Sequence, residues 1–307
     1  MPSANPAPAS NRRLRLSRGV RIGAHVSIAG GMDKAPLRGQ LVGCDTIQVF
    51  TKSNRQWHAK RLSEQEVSAF KANLAATNIG PVVAHGCYLV NLAAPRRAVW
   101  EQSVGAFRVE MERAERLGIP FLVTHPGSHA GAGEVEGMRR VAEAMNELHA
   151  SLPEARVRIL LEASAGQGSS LGYRFEQLAE ILATVEQASR VGICLDTCHV
   201  FAAGYDLRTP DGYRKTLREL DACLGLERLQ AIHLNDSKGA LGSRVDRHEH
   251  IGQGRLGRAP FRRLLNDPRL RHVPMILETP KDGDFIMADR RNLVRLRRLM
   301  NGRGGSG

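Results

Sequence analysis

At 307 residues the chain is long enough to bury a substantial core, as one large barrel or two smaller domains. No apolar run approaches the roughly 18 to 20 residues that span a bilayer, and the five scattered cysteines (Cys44, Cys87, Cys194, Cys198 and Cys223) form no C-x-x-C pair, so the expectation is a soluble cytoplasmic protein with reduced thiols and no membrane partner. The net charge of +13 invites an acidic partner, yet residues 1–21 (five Arg, no acid) and 288–307 (six Arg, one Asp) each hold +5, and the +3 left for the body makes total charge weak support for a nucleic-acid face.

In chain order, residues 1–20 lack the apolar stretch of a secretory signal and read as a disordered basic arm. Short apolar runs ending in a polar residue then recur eight times: RIGAHVS, DTIQVF, PVVAHG, FLVTHP, ILLEAS, GICLD, QAIHLN and PMILETP. Helical stretches lie between most of them. SEQEVSAFKANLAAT opens with an S-x-x-E capping box at Ser63 and Glu66, AVWEQSVGAFRVEMERAERLG ends on Gly118, and YRFEQLAEILATVEQA has the same amphipathic spacing. Near-continuous apolar strands alternating with helices imply a parallel sheet covered on its outer face, and eight such units predict an α/β fold of the (β/α)8 TIM-barrel type over residues 21–300, with a flexible tail at 301–307.

Barrel enzymes carry their chemistry at the C-terminal ends of the strands. His85, His125, Glu162, Asp196, His233 and Glu278 each fall at or near the end of a predicted strand. His199 follows Asp196 by three residues, and Asp246 and His248, two apart, share one side of an extended segment. His250 reads as a loop residue. Five histidines and four carboxylates exceed the four ligands that one divalent ion needs, so more than one ion is expected, with zinc or manganese favoured by the mixture of imidazole and carboxylate. Clustered metals suit phosphodiester hydrolysis. GQGRLG at 252–257 follows a loop rather than a strand and reads as a loop touching phosphate, not as a dinucleotide site.

The segments IGAHVSIAGGMDKA, FTKSNRQW, AHGCYLVNLAAP, THPGSH, LEASAGQGSSLGYRFEQL, VGICLDTCHVFAAGYDL, HLNDSKGALGSRVDRHEHIGQGRLG and MILETP together resemble the endonuclease IV family of zinc-dependent apurinic/apyrimidinic endonucleases, over roughly residues 20–300. The resemblance implies three zinc ions: one held by His85, His125 and Glu162, a second by Glu162, Asp196, His233 and Glu278, and a third by His199, Asp246 and His248. Manganese is admissible at one or more positions, and Glu162 and Glu278 are the implied catalytic carboxylates. It further implies hydrolysis of the phosphodiester 5′ to an abasic site in duplex DNA, leaving a 3′-hydroxyl and a 5′-deoxyribose phosphate, removal of 3′-blocking groups, and a monomer without an implied protein partner. Arg55, Tyr88 and Leu89 match the positions that enter the base stack. Cys198 reads as a packed residue. Ala163 and Ser164 stand where the family commonly has Asn-Thr, which predicts the loss of an amide that could support the metal shell. Two rival readings remain: a sugar isomerase similar to xylose isomerase, which offers no role for His199, Asp246 and His248, and a damage-binding protein without catalysis.

Overall fold

The computed structural model describes residues 19–300; the expected basic arm, apart from Gly19 and Val20, and the tail at 301–307 lie outside them. The eight apolar runs form β1 (Ile22–His25), β2 (Thr46–Phe50), β3 (Val82–His85), β4 (Phe121–Thr124), β5 (Arg158–Glu162), β6 (Val191–Asp196) and β7 (Leu229–His233), with β10 (Met275–Leu277) closing the set. Between β7 and β10 two short segments, β8 (Asp236–Ser237) and β9 (His248–Glu249), pair antiparallel as a separate ribbon. The eight long strands are all parallel and close in the order β1-β10-β7-β6-β5-β4-β3-β2, a TIM barrel. Outside them run α1 (Lys34–Val42), α2 (Glu64–Thr77), α3 (Arg97–Leu117), α4 (Glu134–Ser151), α5 (Phe175–Thr184), α6 (Thr197–Ala203), α7 (Pro210–Leu224), α8 (Ala259–Asn266) and α9 (Phe285–Arg297).

Local sequence explains the helix ends. Ser63 accepts from the Glu66 N–H while Glu66 reaches back to the Ser63 N–H, the expected capping box at the start of α2. Gly118 ends α3 in the left-handed conformation, φ 72°, where its N–H caps the last turn. The helix expected over YRFEQLAEILATVEQA is shorter than its spacing suggests. It stops at Thr184 because Val185 turns into extended backbone and buries in the core, and the next N–H, of Glu186, goes to Asn146 Oδ1 at 2.9 Å.

The strands separate two apolar bodies. The larger lies between strands and helices and includes Ile22, Ile47, Phe107, Leu161, Phe201 and Phe261. The smaller fills the barrel interior with Val83, Val123, Leu160, Cys194, Ala231 and Ile276. Side chains on a strand alternate, so residues two further along point the same way. Two positions beyond those six stand His85, His125, Glu162, Asp196, His233 and Glu278. The interior plug therefore forms the floor on which the polar residues sit. Gly23 on β1 lets the neighbouring strand approach, since a Cβ there would meet the Thr46 carbonyl oxygen at 1.7 Å.

His149, in the last turn of α4, is buried with neither ring nitrogen hydrogen-bonded. Burial, reinforced by Arg190, pushes it down to about 4. The unfolded chain, with an ordinary histidine near 6.5, then binds more protons than the native one as pH falls from about 6.5 to 4, so native stability declines through that window by up to ~3 kcal/mol. Urea unfolding of the parent and of His149→Leu across that window should show the variant without this component of the acid loss; parallel curves would rule it out.

Candidate metal centre

The ends of the strands bring together all nine of the residues expected to hold metal. His85, His125 and Glu162 offer donor atoms within 4.8 Å of one another, and so do Glu162, Asp196, His233 and Glu278. For the third group, His199 Nε2 lies 3.2 Å from Asp246 Oδ1 and 3.4 Å from His248 Nε2, with His248 Nε2 3.4 Å from the same Asp246 oxygen. Glu162 joins two of the groups. Its Oε2 faces His85 Nε2 at 3.2 Å and His125 Nε2 at 3.6 Å, while its Oε1 faces His233 Nδ1 at 3.0 Å.

The D-x-x-H spacing has a local cause. Asp196 ends β6 and caps α6, its Oδ1 accepting from the His199 N–H at 2.9 Å, so the first turn of the helix delivers His199 to the same space. Asp196 Oδ2 is held by Asn235 Nδ2 at 2.6 Å. Asp246 and His248 arrive on the extended approach to β9, both facing His199 as their spacing requires.

Four of the five histidines anchor one ring nitrogen and turn the other toward carboxylates. His85 Nδ1 donates to the Gly86 carbonyl (2.8 Å), His199 Nδ1 to that of Ala163 (3.1 Å) and His248 Nδ1 to that of Glu278 (3.0 Å), which leaves Nε2 of each as the free donor atom. His233 is reversed: its Nε2 lies 2.8 Å from Gln48 Oε1, while Gln48 Nε2 donates to Glu278 Oε1 at 2.5 Å. A carboxylate only accepts, so the amide nitrogen of Gln48 must face Glu278, its oxygen must face His233, and the ring proton must sit on His233 Nε2. His233 Nδ1, a nitrogen that binds a proton or a cation, then faces Glu162 Oε1 (3.0 Å), Glu278 Oε2 (3.1 Å) and Asp196 Oδ2 (3.8 Å). Carboxylate oxygens gathered around one ring nitrogen need positive charge among them, a proton on that nitrogen or a cation in its place, and this donor chemistry fits a divalent metal.

The electrostatics agree. Burial alone would push the Glu162 carboxyl up, but His125, His233 and His199 hold it well below the usual carboxylate range. Burial opposes charge on His199 too, yet Asp196, Asp246 and Glu162 raise it well above the ordinary imidazole value. Cys198 lies within reach of Asp246 and His248, but burial and neighbouring Asp196 push its thiol up to about 12. Its Sγ packs 3.6 Å from the Arg247 carbonyl. His250 turns away to Asp282 and Asn292, as a loop residue.

At Ala163 the main-chain carbonyl holds His199, while Ser164 Oγ donates to the Leu171 carbonyl at 2.8 Å. Three N–H groups of GQGRLG are committed within the fold. Those of Gly252, Gly254 and Leu256 are taken by Asp236 at 2.9, 3.0 and 2.9 Å. Sequence reasoning also missed Gln48, a fully buried polar residue inside DTIQVF, and His25, which ends β1 as the other histidines end theirs and whose Nδ1 lies 3.3 Å from Glu278 Oε1.

A rim stands above the centre. Tyr88 and Leu89 occupy the turn after β3 and are 66% and 37% exposed. The Tyr88 ring meets Phe50 edge-on at 5.4 Å and lies 6.1 Å from the His85 ring. Arg55 is exposed on the loop between β2 and α2. A cavity of about 330 Å³ opens beside Tyr88, lined by His85, His125, Gln167, His199 and Asp246 among others.

Residues 40–300 match the family described as xylose isomerase-like TIM barrel. A protein of Chloroflexus aggregans called probable endonuclease 4 is 53% identical over 280 residues, 91% of this chain and 98% of its own length. Its counterpart in Geobacter sulfurreducens is 53% identical over 282 residues, 92% of this chain and 95% of its own. Among solved structures, endonuclease IV from Thermus thermophilus aligns with a TM-score of 0.79 at 40% identity, covering 91% of this chain and 98% of that one. A D-tagatose 3-epimerase-like protein aligns with a TM-score of 0.69 at 18% identity, a likeness of fold alone.

The direction of the Gln48 hydrogen bonds yields a prediction. Gln48→Met keeps the length of the side chain but releases the His233 ring and the Glu278 carboxylate, and zinc affinity measured by chelator competition should fall about 10- to 100-fold with the circular dichroism spectrum unchanged. Unaltered affinity would mean that Gln48 only fills space.

Proposed function

This chain belongs to the endonuclease IV family of DNA-repair endonucleases, and from that membership we propose that it hydrolyses the phosphodiester 5′ to abasic sites in duplex DNA, leaving a 3′-hydroxyl and a 5′-deoxyribose phosphate, and clears 3′-blocking groups by the same chemistry. The observation that carries the reading is Glu162. One carboxylate at the centre of the cluster turns its two oxygens to different histidines, His85 and His125 on one side and His233 on the other, as a residue shared by two ions must.

The residues fit three zinc ions, with manganese admissible: His85, His125 and Glu162 for one; Glu162, Asp196, His233 and Glu278 for the next; His199, Asp246 and His248 for the third. Bound there, such ions supply Lewis acidity and a nucleophile at neutral pH, and they offset the charge of an in-line displacement. The chain's part is to hold geometry. The carbonyls of Gly86, Ala163 and Glu278 and the amide of Gln48 fix the histidine rings, and Glu162 and Glu278 stay ionised against burial because histidines surround them. Tyr88, Leu89 and Arg55 at the rim are of the right type to enter the stack where a base is missing, two amphipathic or apolar wedges and a cation. All five cysteines are unpaired, which suits a reducing compartment, and we place the activity in the cytoplasm.

A 5′-labelled duplex with one tetrahydrofuran site, which cannot undergo β-elimination, tests the reaction. Metal-analysed protein with about three zinc per chain should nick it immediately 5′ to the site. Intact duplex after incubation with fully loaded protein would overturn the proposal. Glu162→Gln should lower kcat at least about a thousandfold while the fold survives, and retained activity would remove the shared-ligand role.

A further inference from the structure

Thirteen irregular residues, 51–63, connect β2 to α2 and carry Arg55, while Tyr88 and Leu89 stand on a separate turn. Loops of this length without regular structure are mobile unless something holds them. Here one face of α3 does. Arg113 donates from Nε to the Thr51 carbonyl at 2.7 Å and from Nη1 to that of Lys60 at 2.6 Å, and Arg116 Nη1 donates to the Leu62 carbonyl at 2.9 Å. One turn before Arg113 lies Glu110, which touches both recognition segments. Its Oε1 pairs with Lys52 Nζ at 3.2 Å, its Oε2 accepts from the Cys87 N–H at 3.0 Å, and Lys52 Nζ donates onward to the Gln56 carbonyl at 2.6 Å. Cys87 closes the circuit with its Sγ 3.0 Å from the Asn54 carbonyl. Arg55 is thus flanked on both sides by carbonyls tied to the residue that precedes Tyr88.

The Lys52 and Glu110 side chains are only 2% and 1% exposed. A buried ion pair is a poor source of stability, because desolvating both charges costs about as much as their attraction returns, and apolar replacements of similar volume are often neutral or better. What the pair supplies is direction: an acid that must face both Lys52 and the Cys87 N–H allows one placement of the two loops. We propose that the buried Lys52–Glu110 pair is a positioning device that couples the Arg55 loop to the Tyr88–Leu89 turn, and so sets the preference for a lesion over intact duplex. This rests on the reading of Arg55, Tyr88 and Leu89 as lesion-contacting residues. Neither Lys52 nor Glu110 belongs to the metal-holding set, so the pair should act on recognition and leave the chemical step alone.

The test is the double variant Lys52→Met/Glu110→Leu in the zinc-loaded full chain. KM for the tetrahydrofuran duplex should rise about tenfold, with kcat, metal content and inhibition by undamaged duplex all within about twofold of the parent. Glu110→Gln, which keeps shape and an acceptor for Cys87 but removes the charge, supplies a milder readout in case the double variant misfolds, and should raise KM about threefold. Parental KM in a folded double variant, or in Glu110→Gln should the double variant misfold, overturns the coupling. Tyr88→Ala separates the two layers: if it too leaves KM unchanged, the lesion-contacting role of the turn fails; if it raises KM while the ion-pair variants do not, only the coupling fails.

Discussion

Glu162, Asp196 and His233 have no accessible surface, and Glu278 closes over them. Gathering acids in a low-dielectric space is prohibitively unfavourable unless positive charge is gathered with them. The rest of the site answers that requirement. Histidines interleave with the carboxylates, the outer nitrogens of four of them are committed to fixed acceptors, and the remaining nitrogens converge on the same few ångströms of space. Protons can satisfy such a cluster at low pH, and divalent ions satisfy it at neutral pH.

The barrel makes this concentration possible through the simplest periodicity in protein structure. Six of the eight strands point an apolar residue into the interior, and the next residue on the same face is polar and at the mouth, so these six present six polar groups in one layer. A slip of one residue in any strand would turn its polar residue out toward the helices and break both layers at once. The parallel register that holds, for example, Glu162 opposite Cys194 and Asp196 opposite His233 is therefore as much a part of the site as the side chains themselves.

Much of this was legible without coordinates. The eight strands, the capping box at Ser63, the Gly118 stop and the strand-end residues all follow from apolar periodicity and from chemistry that depends on neighbours in the chain. Legibility failed where the determining partner is remote. Gln48 matters through residues 185 and 230 positions away, and DTIQVF gives no sign of them. Nothing in GQGRLG shows that Asp236, 16 to 20 residues earlier, takes three of its N–H groups. α5 ends early because Val185 has a place in the core, which amphipathic spacing does not encode. At Ala163 a side-chain comparison cannot show that the atom holding His199 is a carbonyl oxygen.

That last feature reaches further than the one position. Of the four anchored histidines, three lean on main-chain oxygens, those of Gly86, Ala163 and Glu278, and only His233 leans on a side chain. A carbonyl is present whatever amino acid the codon specifies, so positions such as 163 can drift during evolution while the ring beside them keeps its orientation. Position 48 has no such freedom. Variation among descendants of this sequence should accordingly be lopsided around the centre, permissive where the peptide chain itself is the support and restricted where the support is one buried amide.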